Sequence, residues 1–253
     1  MQSPEPDAPR GTETGEGAAS GDAPRWRIDA AASEARYWEQ DEMLVAERLL
    51  EGPALHSLIV EAQAMQASVH RNYVPRIKKG GSVSYFDLRR GAPSIVALYR
   101  DPAFIALLSR ITRERLLVCP DNDPHACALY YYTEPGDHID FHYDTSFYRG
   151  KRYTVLVGLV ERSSCRLVCE LYRKDPARET RTVSVQTLPG TVVMFNGDRL
   201  WHAVTPSGPG EERIVLSMEY VTDQRMGPVQ RLVSNVKDAV AYFGIRTLVR
   251  GTR

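Results

Sequence analysis

The stretch GDHIDFHYDTS, residues 136–146, places His138, Asp140, His142 and Asp144 at alternate positions. On a β-strand, residues two apart project from the same face, so this spacing predicts four potential metal ligands in line. Burying them without a purpose would be costly, and the neighbouring segments are apolar. Read outward, the surroundings look like an antiparallel β protein. CALYYYT, YTVLVGLV, RLVCELY, TRTVSVQT, TVVMF and RIVLSMEYV are short runs rich in β-branched and aromatic residues. Turn signals divide them at Pro135-Gly136, Arg149-Gly150, Pro189-Gly190, Asn196-Gly197 and Gly208-Pro209-Gly210. Such short strands over about 125–222 predict a double-sheet jelly roll or small barrel.

Upstream the pattern is helical. Residues 40–51 carry Met43, Leu44, Ala46, Leu49 and Leu50 at helical spacing. Pro53 suits the first turn of a second helix over about 53–72. Gly80-Gly81 breaks the pattern, SVSYFDL at 82–88 reads as a strand, and 93–113 is helical with an interruption at Asp101-Pro102. Residues 228–243 return to helical periodicity. Residues 1–25 contain no hydrophobic residue larger than alanine apart from Met1 and are expected to be disordered. The expected organisation is therefore a disordered tail, 1–25, and one α+β domain, 26–253, with N-terminal helices, a jelly-roll core and a C-terminal helix.

Composition narrows the class. The 253 residues are 43% hydrophobic and 25% charged, with 32 basic and 32 acidic side chains. Zero net charge gives no global field toward nucleic acid or anionic membranes. No apolar run is long enough to span a bilayer. Cys119, Cys127, Cys165 and Cys169 form no CxxC pair, and the expectation is buried reduced thiols in a cytoplasmic protein.

Of six histidines, His56 and His70 lie on stretches read as helices and are taken as ordinary structural residues. HxD occurs twice, at His138/Asp140 and His142/Asp144. Either pair gives one imidazole and one carboxylate to a common point. A histidine from a remote strand would complete a two-histidine, one-carboxylate facial triad, the mark of non-haem Fe(II) oxygenases. His202, after PGTVVMFNGDRLW, is the expected third ligand, with Trp201 packed beside it.

With these residues in place, about 125–222 resembles the double-stranded β-helix core of Fe(II)/2-oxoglutarate dioxygenases. In that family a glycine turn stands about six residues before the HxD, as Gly136 stands before His142, and a basic residue follows the distal histidine by roughly ten, as Arg213 follows His202 by eleven. The resemblance favours His142, Asp144 and His202 as ligands, with His138 and Asp140 at the mouth or behind the ligands. It makes Arg213 the partner of the distal carboxylate of 2-oxoglutarate, for which a guanidinium fork is well shaped. Ser217, Tyr130 or Tyr132 would assist. The implied cofactors are Fe(II), 2-oxoglutarate and O2, with 2-oxoglutarate consumed to succinate and CO2. Asp144 stands where halogenating relatives carry glycine or alanine, which implies hydroxylation.

Within the family, HYDTSFYRGKRYTVL and GGSVSYFDLRRGAP look most like bacterial hydroxylases of free or N-substituted amino acids, the N-succinyl leucine type above all. The implied substrate is a small carboxylate-bearing molecule, an N-substituted branched L-amino acid, with Arg89, Thr145 and Arg152 as its expected contacts. A free amino acid is the alternative. A cupin-type metal enzyme without 2-oxoglutarate would not need Arg213, and a non-catalytic β protein would not need the triad.

Overall fold

The computed structural model describes residues 26, 28–144 and 146–226. The expected tail, Thr145 and the expected helix at 228–243 lie outside the described residues.

The helices come first. α1 (Ala30–Glu39) begins at Asp29, whose carboxylate accepts the Ala31 and Ala32 amides, so two of the helix's unpaired N–H groups are satisfied. Between α1 and α2 (Gly52–Ala64) the chain forms β1 (Met43–Ala46) instead of the helix expected at 40–51. Tertiary pairing overrides the helical spacing there. Asp41 and Glu42 take positive φ of 55° and 61°, Asp41 accepts the Tyr172 amide, and β1 joins a sheet edge that buries Met43 and Leu44. The second helix is shorter than expected, since β2 (His70–Val74) starts at His70.

β3 (Lys78–Val83) ends where Ser84 caps α3 (Tyr85–Gly91), so 82–88 is a strand end followed by a helix. Ser84 Oγ receives the Asp87 amide, as an N-cap does, and donates its own hydrogen to the Asp87 carboxylate. α4 (Pro93–Tyr99) and α5 (Pro102–Thr112) divide at Asp101-Pro102 as expected, with Asp101 capping α5.

The β core follows: β4 (Leu117–Val118), β5 (Cys127–Tyr132), β6 (His138–His142), β7 (Arg152–Arg162), β8 (Leu167–Leu171), β9 (Arg181–Val185), β10 (Val192–Asn196), β11 (Trp201–Val204) and β12 (Glu212–Val221). All pairings are antiparallel, in the order β1-β10-β7-β12-β5-β3-β6-β11-β8-β9, with β2 on β3 and β4 on β12. The sheet curls so that β6-β11-β8-β9 faces β10-β7-β12-β5, the expected jelly-roll core of an α+β fold.

Strand alternation separates two interiors. On β12, Ile214, Leu216, Met218 and Tyr220 join Val155 and Val157 of β7 and Leu129 and Tyr131 of β5 in the larger hydrophobic core, against helix residues such as Tyr99 and Phe104. The opposite face, Arg213, Val215, Ser217 and Glu219, looks into the roll with Arg152, Thr154 and Leu156 of β7. There they meet a second apolar cluster that includes Leu167, Cys169, Phe195 and Val204. β12 is buried on both faces beyond Glu212, and Arg213, Ser217 and Glu219 fall on the inner one. All four cysteines are buried and unbonded, as expected.

Candidate metal centre

β6 and β11 run side by side with His142 directly opposite His202. The ring centroids are 4.3 Å apart. Asp144, just past β6, brings Oδ1 to 3.4 Å from His142 Nε2 and Oδ2 to 3.6 Å from His202 Nε2. One ligand atom from each of the three lies within 4.8 Å of the others, the only such metal-suited group among the described residues.

The backbone fixes the direction of both rings. His142 Nδ1 is 2.8 Å from the Asp140 carbonyl oxygen and His202 Nδ1 is 3.1 Å from that of Leu200. A carbonyl only accepts, so each Nδ1 carries a hydrogen and each Nε2 is the nitrogen left to meet a metal. Phe195 packs 4.7 Å from the His202 ring. Trp201 packs instead on Phe141 and Tyr143.

Electrostatics agree with the geometry. Burial, opposed in part by Asp144, pushes His202 down to about 4, so its imidazole is neutral at pH 7. Burial alone would raise the Asp144 carboxyl, but His202, His142 and Arg152 together hold it well below the usual carboxylate range. Two imidazoles and one carboxylate are the donor set of a facial triad.

The face shared by four ligands does not survive intact. A register shift where β6 meets β11 brings both Ile139 and His142 to the interior, because an extra residue reverses the alternation. His138 and Asp140 turn outward as a loose pair, Nε2 to Oδ1 3.8 Å, and neither lines the cavity.

Two glycines admit the ligands and their neighbours. A Cβ on Gly197 would lie 2.8 Å from the Asp144 Cβ, so only glycine lets the β10–β11 turn pass this close. A Cβ on Gly158 would lie 2.2 Å from the Thr187 carbonyl oxygen, and Thr187 reaches Arg213 because that space is empty.

The cavity runs from this cluster to Arg213, which is 1% exposed. Arg213 stacks 4.8 Å over Tyr132 and donates through Nε and Nη2 to Thr187 Oγ1 at 3.2 and 3.1 Å. It also meets an acid that the sequence reading overlooked, Glu161, whose side chain is buried and lies 3.4 Å from Nε. Glu161 stands opposite Arg213 on β7, and its pKa is raised, by burial above all. Ser217 donates to Glu219 instead of assisting Arg213, and Tyr130 meets His125.

Of the expected substrate contacts, Arg152 lines the cavity and Arg89 does not. Arg89 lies half-exposed at the end of α3, 3.6 Å from Asp121. Arg152 donates Nε to Glu219 Oε2 at 2.9 Å. Asp123, His125, Tyr143, Phe147 and Tyr148 complete the lining toward the mouth. Tyr148 donates its hydroxyl to Asp123 at 2.6 Å. Among the described residues no helix is long and apolar enough to cross a membrane.

Comparison of the sequence with protein-family models and with curated proteins gives no match. Solved structures do match in fold. The non-heme alpha-ketoglutarate-dependent epimerase SnoN from nogalamycin biosynthesis is 16% identical over 76% of this chain and 80% of its own, with a TM-score of 0.63. A Trichoplax adhaerens prolyl hydroxylase, solved with a peptide of the hypoxia inducible factor oxygen degradation domain, is 16% identical over 81% and 92%, TM-score 0.61. The alpha-ketoglutarate-dependent carbocyclase SnoK, also from nogalamycin biosynthesis, is 12% identical over 82% and 91%, TM-score 0.64. At such identities the likeness establishes the fold.

Proposed function

We propose that this chain is an Fe(II)- and 2-oxoglutarate-dependent oxygenase that hydroxylates an aliphatic C–H bond in a small carboxylate-bearing molecule. One observation carries the reading: His142, Asp144 and His202 converge within 4.8 Å, with both imidazoles turned by backbone carbonyls so that Nε2 faces inward. The donor set fits Fe(II), and the buried Arg213 at the other end of the same cavity suits the distal carboxylate of 2-oxoglutarate. When bound, iron, 2-oxoglutarate and O2 would supply the oxidation of an unactivated C–H bond, with succinate and CO2 as co-products.

The chain's own residues then have separate tasks. His142, Asp144 and His202 hold the metal on one side. Arg213, kept in place by Thr187 and the Tyr132 ring, receives the cosubstrate tail. Arg152 keeps its Nε on Glu219, which leaves the two terminal nitrogens of its fork to receive a substrate carboxylate. Tyr143, Phe147 and Tyr148 form the wall that excludes water around a bound substrate. The similar folds include an epimerase, a carbocyclase and a prolyl hydroxylase, so the outcome depends on which C–H bond the cavity presents.

For the substrate, the resemblance noted in the sequence favours an N-substituted, branched aliphatic L-amino acid held by Arg152. Asp123 and Glu219 in the lining favour a second reading, a free amino acid whose ammonium they would receive. The test is succinate formation from 2-oxoglutarate with Fe(II), run against free and N-succinyl Leu, Val, Ile and Met at equal concentration. Succinate formation with a mass gain of one oxygen in one series identifies the substrate class. Absence of iron-dependent succinate formation under all conditions would overturn the proposal.

A further inference from the structure

Asp144 presents one oxygen to each imidazole, Oδ1 to His142 at 3.4 Å and Oδ2 to His202 at 3.6 Å. A carboxylate so placed is able to bind a metal through one oxygen or through both. The difference has consequences, because a facial triad keeps three adjacent positions open only when each protein ligand takes one. A chelating 2-oxo acid needs two of them.

Thr154 bears on that choice. It lies on β7 directly opposite Glu219 of β12 and is 2% exposed. Its hydroxyl is 2.7 Å from Asp144 Oδ2 and 3.0 Å from Glu219 Oε2. A hydroxyl has one hydrogen to give. Glu219 is already served on both oxygens, Oε2 by Arg152 Nε at 2.9 Å and Oε1 by Ser217 Oγ at 3.2 Å. The shorter contact and the prior supply of Glu219 both direct the Thr154 hydrogen to Asp144.

We propose that Thr154 is the positioning residue that makes Asp144 a one-oxygen ligand, by holding Oδ2 in a hydrogen bond and leaving Oδ1 to the metal. Gly197 on the other side of Asp144 restricts the carboxylate further, since the turn lies against the Asp144 Cβ. The Arg152–Glu219 pair has a second task here, to keep the Thr154 hydrogen free for Asp144. This inference rests on the metal reading above.

The probe is Mn(II) bound to the full chain, with exchangeable metal-bound waters counted by water-proton relaxation. Wild type and Thr154→Ser, which keeps the hydroxyl, should hold about three waters. Thr154→Val, of the same shape without the hydroxyl, should hold about one fewer, and its Mn(II) form should bind 2-oxoglutarate at least about tenfold more weakly. Equal water counts in wild type and the valine variant would overturn the inference and leave the metal reading standing. A serine variant that behaves like valine would also overturn it, since the effect would then belong to the methyl group. If wild type takes up no Mn(II), the metal reading fails and the inference with it.

Discussion

The two ends of the cavity bury charge in opposite ways. At the candidate metal end, a carboxylate and two imidazoles converge, with each Nδ1 held by a backbone carbonyl. That donor set suits a cation. At the far end, Arg213 is less exposed than any of the three ligands but already has Glu161 at 3.4 Å and Thr187 at 3.1 Å. An anion arriving there shares the guanidinium with an acid in residence. The first end gathers donors suited to a cation, and the second is an ion pair that an incoming anion would have to join.

The largest effect should come from the metal end. His142→Ala or His202→Ala should weaken Mn(II) binding by more than about 100-fold, beyond what loss of an outer partner costs, with turnover abolished and the fold retained. His138→Ala, four residues earlier on the same strand, should leave Mn(II) titrations unchanged. Equal losses at His138 and His142 would erase the distinction between inner and outer pairs.

Arg213→Ala should be costly in two ways. It strands the buried Glu161, which should lower stability by about 3–5 kcal/mol in denaturant titrations. It also removes the cosubstrate's partner, at about 2–5 kcal/mol of 2-oxoglutarate binding. Adding Glu161→Gln should restore most of the stability and none of the binding. Recovery of both would mean that Arg213 serves the fold alone.

Acid should separate the ends further. An unfolded histidine takes up its proton near pH 6.5, whereas burial holds His202 neutral down to about 4. Between those values the unfolded chain binds more protons, so the metal-free protein should lose stability as pH falls from about 6.5 to about 4, by on the order of a few kcal/mol. Asp144, held low, continues the loss at more acid pH, as its own depressed value is crossed. Melting curves of His202→Gln should be flatter over the first window. An identical pH profile would argue that His202 is not desolvated.

The smallest effect belongs to Arg89→Ala. Its half-exposed pairing with Asp121 should contribute no more than about 0.5 kcal/mol, and substrate KM should not move. Arg152→Gln should raise KM clearly. The reverse order would place the substrate outside the cavity described here.

How much of this was readable in advance follows from the range of the interactions involved. The two candidate HxD pairs were legible because their spacing is local, whereas the choice of His142, Asp144 and the remote His202 came from the family resemblance, and the fold brings those three together. The division of α4 from α5 at Asp101-Pro102 and most strands of the core were legible too. β1 was misread because Met43 to Leu50 satisfies helical spacing, while its partner Phe195 is remote in sequence. The outward turn of His138 depends on a register shift against β11, which no local pattern announces. Glu161, Thr154 and Glu219 escaped notice for a similar reason: their partners are set by strand register. Two signals were available and unused. Ser84-Tyr85-Phe86-Asp87 has the spacing of a capping box, and β12 places an arginine, a serine and a glutamate at alternate positions in an otherwise apolar strand.

The direct pairing of His142 with His202 also ties ligand binding to assembly of the sheet. The two residues are 60 positions apart in the chain, and β7, β8, β9 and β10 all lie between them. A metal ion bridging them acts as a removable cross-link that closes this long loop, and forming the ladder is what brings its two attachment points together. Such an ion adds stability by mass action, about 2.7 kcal/mol at a free concentration 100 times its Kd. Chelators should accordingly lower the Tm and loosen β6 from β11 first, so that hydrogen exchange along this one ladder becomes a gauge of metal occupancy.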